Sequence, residues 1–122
     1  AGDRARLAAD GSIELLGRDS VCINTGGEKV FAEEVEVALT SHPDVFDAVV
    51  CGRPSERWGQ EVVGVVALTP GSTTTATELI EHCKDRLAGF KAPKAIVFVD
   101  RVVRSPSGKA DYRWAATQIS PT

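Results

Sequence analysis

The sequence predicts an α+β fold: a small mixed sheet of about three strands flanked by two helices, with β-hairpins on the N-terminal side. Three observations carry this. Runs rich in β-branched residues at 44–54, 60–70 and 95–100 read as strands. Stretches 32–43 and 75–87 repeat apolar residues at three- and four-residue steps, as one face of a helix does. Two tight-turn signals, Asp10-Gly11 and Gly26-Gly27, punctuate the early chain.

Taken in order, RARLAADGSIELL (4–16) reads as a hairpin turning at Asp10-Gly11, and GRDS (17–20) breaks the pattern. VCINTGGEKVF (21–31) reads as a second hairpin. On spacing alone its two glycines supply positive φ for an ordinary turn, and the rival reading is a close ligand approach. In AEEVEVALTSHP (32–43), Val35, Ala38, Leu39 and His42 share one helix face, Glu33 and Glu34 sit in the anion-favouring first turn, and Pro43 stops the helix. His42 reads as a packing or capping histidine rather than a ligand.

The Val-rich run 60–70 predicts a strand buried on both faces. Trp58, in the SERWG loop (55–59), reads first as a cover over the core and second as a stacking surface for a base. Thr75 with Glu78 forms a capping-box pattern, and Leu79, Ile80, Cys83 and Leu87 make the apolar stripe. Gly89 suits the position after that helix. FKAPK (90–94) is a connector, and DYRWAATQI (111–119) is a short terminal helix.

The bulk properties exclude several classes. With 122 residues, 43% of them hydrophobic, the chain suits one domain with a modest core. A net charge of −3 disfavours nucleic-acid binding. Cys22, Cys51 and Cys83 are odd in number and widely spaced, so buried thiols in a cytoplasmic setting are expected rather than disulfides or a metal site. No apolar run reaches transmembrane length. The absence of methionine from the whole sequence, its start included, suggests a piece of a longer protein.

The loop RSPSGKADYRW (104–114) is the most chemical stretch. It is no phosphate loop of the GxxxxGK[ST] type, because Val103 stands where that pattern needs glycine and Ala110 follows Lys109. A lysine on a glycine turn is a flexible point charge able to meet carboxylate and phosphate oxygens together. On local spacing alone a solvated lysine is the commoner meaning of such a loop.

Four segments in order resolve this. Gly2-Asp3, GRDSVCINTGGEKVFAEEVE (17–36), FKAPK (90–94) and PSGKADY (106–112) together resemble the C-terminal part of an acyl-CoA synthetase of the fatty-acid-CoA ligase type. This is the adenylate-forming superfamily, which includes luciferase and peptide-synthetase adenylation domains. The resemblance implies that residues 1–19 end a large N-terminal domain and approach a hinge, and that 20–122 form the mobile C-terminal domain. It implies ATP, Mg2+ and coenzyme A as cofactors or substrates, and a fatty or lipid-like carboxylic acid as the activated partner. The domain would rotate between an adenylating and a thioester-forming arrangement.

Residue by residue, the resemblance makes Lys109 the catalytic lysine of adenylation, and Asp3 and Arg18 ligands of the ATP/AMP ribose. Gly26, Gly27 and Glu28 become the turn facing coenzyme A, with Gly27 passing the pantetheine chain. Lys91 becomes a contact for coenzyme A phosphates and Trp58 for its adenine. No metal ligand is implied. The hinge falls at Asp19 or Ser20; the family usually carries Asp or Lys where Ser20 stands. The missing N-terminal domain of the same chain is the principal partner, and peripheral membrane contact stays open. Alone, the fragment is expected to be inactive. Two other readings remain: an adenylation domain loading a carrier-protein thiol, and a non-catalytic α+β interaction module.

Overall fold

The computed structural model describes residues 21–119. The expected first hairpin and the hinge approach lie outside them. The element order is β1 (Cys22–Thr25), β2 (Glu28–Phe31), α1 (Ala32–Thr40), β3 (Val45–Ser55), β4 (Gly59–Leu68), α2 (Ala76–Lys84), a 3-10 turn (Gly89–Lys91), β5 (Ala95–Phe98) and α3 (Tyr112–Gln118).

The sheet has five strands rather than three, because the β1–β2 hairpin joins it. The order is β2-β1-β4-β3, with β5 pairing β4. Every pairing is antiparallel except β4–β5, whose crossover runs through α2, so the sheet is mixed as expected. β3 and β4 form the long spine, in register from Asp47↔Ala67 to Ser55↔Gly59.

Alternation along the spine builds two cores. Ala48, Val50, Val62 and Val66 face one way and pack with Val35, Leu39, Leu79 and Cys83 of α1 and α2. Val49, Cys51, Val63, Val65 and Ala67 face the other way and pack with Val102, Ala115 and Ile119. Val62 to Ala67 are all buried, so β4 is covered on both faces. The third helix explains why: α3 and the segment before it cover the face that α1 and α2 leave open.

Local signals act much as read. The Gly26-Gly27 turn holds φ of 60° and 86°, the two positive values that a two-residue hairpin with Thr25↔Glu28 closing it demands. The Thr75 side chain accepts the Glu78 N–H at 3.2 Å. His42 is a local cap, its Nδ1 accepting the Asp44 N–H at 3.0 Å. Three readings need correction. Cys22 is exposed, because strand alternation turns Ile23 and Thr25 inward and Cys22 outward. Gly89 opens the 3-10 turn instead of capping α2, which already ends at Asp85. Trp58 belongs to neither apolar cluster.

Candidate active-site faces

The two chemically loaded loops stand at opposite ends of the β3–β4 spine. At one end the hairpin turns meet: Gly26 donates its N–H to the Trp58 carbonyl at 2.8 Å. A Cβ on Gly26 would stand 3.1 Å from Trp58 Cε3, so glycine is needed both for φ and for the ring. Two cations lie over the Trp58 indole, with Arg57 Cζ at 4.8 Å and Lys94 Nζ at 4.9 Å from its centroid. Lys94 is held at the entry to β5 by its backbone N–H, which donates to the Val62 carbonyl at 2.7 Å. Gly27 has no atom within 4 Å of where a Cβ would be. An open glycine turn beside a flat ring carrying two cations suits a planar, anionic ligand lying along the backbone.

At the other end, residues 104–110 form a closed loop. Arg104 and Ala110 make an antiparallel bridge, Ser105 donates its N–H to the Lys109 carbonyl at 2.9 Å, and Gly108 turns the chain at φ 87°. Lys109 is exposed at the loop's far side. The Arg104 guanidinium grips both carboxylate oxygens of Asp47 on β3, with Nε to Oδ2 at 2.9 Å. That hydrogen bond holds the Asp47 carboxyl below the usual carboxylate range. An open cleft of about 560 Å³ lies beside the loop, lined by Glu33, Glu36, Arg104, Ser105, Lys109 and Tyr112 among others.

Glu36 is the perturbed group in this cleft. Burial raises it to about 7, against the lowering effect of the Val50 N–H and the Tyr112 hydroxyl, both donating to Oε2 at 2.9 Å. Burial, with Glu36 beside it, pushes the Tyr112 phenol up as well.

Asp47 and Ser55 are eight residues apart on β3. At about 3.3 Å per residue the two ends are roughly 25 Å apart. The structure thus brings Gly26, Gly27 and Trp58 together with Glu28, which closes the same hairpin, and sets Lys109 at the far end. Lys91 is ion-paired with Glu34 at 2.8 Å, and Lys94 takes the place over Trp58. Asp3, Arg18, Asp19 and Ser20 lie outside the described residues. Sequence reasoning assigned no role to Lys94, Glu36 or Tyr112, although all three fall inside motifs that it singled out.

The AMP-binding enzyme C-terminal domain family matches residues 34–109, which is more than half of the chain. The chain belongs to this family. The medium-chain acyl-CoA ligase Mig of Mycobacterium avium is 69% identical over 96% of this chain, and the 3-oxocholest-4-en-26-oate–CoA ligase of Rhodococcus rhodochrous is 56% identical over the same share. The chain spans 21% of each of these relatives. A fatty acyl CoA synthetase structure from Mycobacterium tuberculosis superposes with a TM-score of 0.75 at 30% identity, covering 82% of this chain and 20% of that one. In this AMP-binding C-terminal domain, the matched stretch runs from Glu34 of α1 to Lys109, and so includes Trp58 and the Lys109 loop but begins after the Gly26-Gly27 turn.

Proposed function

We propose that this domain serves an AMP-forming acyl-CoA ligase by presenting its two ends in turn to an active site on a larger N-terminal domain. The observation that carries the reading is the separation of the Lys109 loop from the Gly26-Gly27 and Trp58 cluster. Two sites about 25 Å apart on one rigid sheet cannot serve one reaction centre together. Rotation of the domain brings each there in its own step.

In the first step a carboxylate oxygen attacks the α-phosphorus of ATP, the bond to the β-phosphate oxygen breaks, and pyrophosphate leaves. Lys109, exposed on its closed loop, contacts the carboxylate and α-phosphate oxygens as negative charge gathers there. Asp3 and Arg18 hold the ribose, and Asp19 or Ser20 is the hinge. In the second step the thiolate of coenzyme A attacks the acyl carbon and AMP departs. Gly26, Gly27 and Glu28 line the pantetheine path, Trp58 meets the adenine, and Lys94 with Arg57 adds positive charge for the phosphates. Lys91 reaches phosphate only by leaving Glu34.

Mg2+ is ordinarily held by substrate phosphates and one or two carboxylates. Among the described residues no three His, Cys, Asp or Glu side chains converge into a metal cage of their own. The names of the relatives, with their medium-chain and sterol-derived acids, support a fatty or lipid-like acid as substrate. A cytoplasmic setting fits the unpaired thiols of Cys22, Cys51 and Cys83.

The test separates the half-reactions of the full-length enzyme. Lys109→Ala lowers acyl-AMP formation by roughly 10²–10³ and leaves thioester formation from supplied acyl-AMP intact. Equal loss of both steps refutes the assignment. Transfer to a carrier-protein thiol in place of coenzyme A would redirect the second step.

A further inference from the structure

The Lys109 loop stands on two supports, and only one of them is an ordinary surface ion pair. Its first strand is held by Arg104 on Asp47. Its second strand runs through Ala110 into α3, whose first residue, Tyr112, donates its hydroxyl to Glu36. Asp111 caps the helix by accepting the Trp114 N–H at 2.9 Å, so the approach from Lys109 to Tyr112 is short and constrained. Glu36 belongs to α1, and its same oxygen also accepts the N–H of Val50 on the edge strand β3. One carboxylate therefore joins three elements at the base of the loop.

We propose that Glu36 and Tyr112 are positioning residues for Lys109, their hydrogen bond fixing where the loop delivers its ammonium during adenylation. Stability alone argues against a carboxylate here. Desolvating a carboxylate costs more than two neutral-donor hydrogen bonds return, and a neutral amide could accept both donors. Glu33, one turn away on the same helix, adds like charge, and Arg104 from the loop offsets it only in part. Cys51 of β3 and Tyr112 of α3 also feel the Glu36 charge. An acceptor that strengthens with charge, bonded to a tyrosine three residues from Lys109, stiffens the loop at the point where misplacement matters most.

This inference rests on the reading of Lys109 as the adenylation lysine, and the experiment separates the two. In the full-length enzyme, Tyr112→Phe keeps the ring that packs against both cores and removes only the hydroxyl. Glu36→Gln keeps the shape of the acceptor. Each variant is expected to lower kcat of acyl-AMP formation by roughly 10–100-fold, with KM for ATP and acid unchanged. Thioester formation from supplied acyl-AMP stays at the wild-type rate. The double variant is no worse than the poorer single one, because both act on the same bond: Tyr112→Phe removes its donor and Glu36→Gln removes the charge of its acceptor. If Lys109→Ala abolishes adenylation while Tyr112→Phe leaves it within twofold of wild type, the positioning role is wrong and the reading of Lys109 stands. If Lys109→Ala leaves adenylation intact, the reading itself fails. Equal loss in both half-reactions also overturns the inference, since it marks a bond that holds only the fold.

Discussion

Replacing Glu36 by glutamine tests the electrostatics of the loop base directly. The folded domain raises this carboxyl from its ordinary 4.5 to about 7, chiefly by burial. Folding then takes up a proton between those values. The group's contribution to stability is fully present below 4.5 and is lost as pH rises through about 7. At about 1.4 kcal/mol per tenfold change in proton affinity, the loss is at most about 3 kcal/mol. Urea unfolding of wild type and Glu36→Gln, followed from about pH 5 to about pH 8, measures it. The variant gains on wild type by up to about 3 kcal/mol across that range. Taking the difference between the two proteins matters because His82 acts in the same window with the opposite sign. Burial lowers the His82 imidazole, so its contribution grows as pH rises. Asp47, lowered first by its Arg104 hydrogen bond, loses its contribution only at more acid pH. Both cancel between the two proteins. A difference that stays flat from pH 5 to 8 refutes the argument, because Glu36 would then be ionised throughout.

Two further outcomes are expected. Trp58→Ala raises KM for coenzyme A in the thioester step by roughly tenfold, the worth of one base–aromatic stack, and leaves acyl-AMP formation unchanged; steady-state kinetics of the separated steps decide it. Thr75→Ala removes the side-chain cap of α2 and lowers domain stability by about 1 kcal/mol, read as a shift in the unfolding midpoint with both half-reactions retained.

Short-range chemistry was legible in the sequence, and long-range chemistry was not. Alternating and continuous valine runs placed β3 and β4, because a spine strand must feed two apolar faces. Gly26-Gly27 declared its turn through the φ values that only glycine adopts cheaply. Cys22 was misread because an apolar neighbourhood was weighed above the two-residue period that points it outward. The same period would have found it. Glu36 closes the 17–36 motif, but nothing local marks its role: it looks like one more acid on α1, and its partner Tyr112 lies 76 residues away. Asp47 and Arg104 are likewise 57 residues apart. These pairs exist only because α1, β3 and α3 meet at one end of the sheet. The same geometry explains the two-ended layout. β3 is long enough to carry the Lys109 loop at its start and the Trp58 turn just past its end, on a single rigid body. On the proposed two-step reading, a domain with its loaded loops that far apart moves as a whole to use both, and there the length of one strand bears on mechanism as directly as the lysine does.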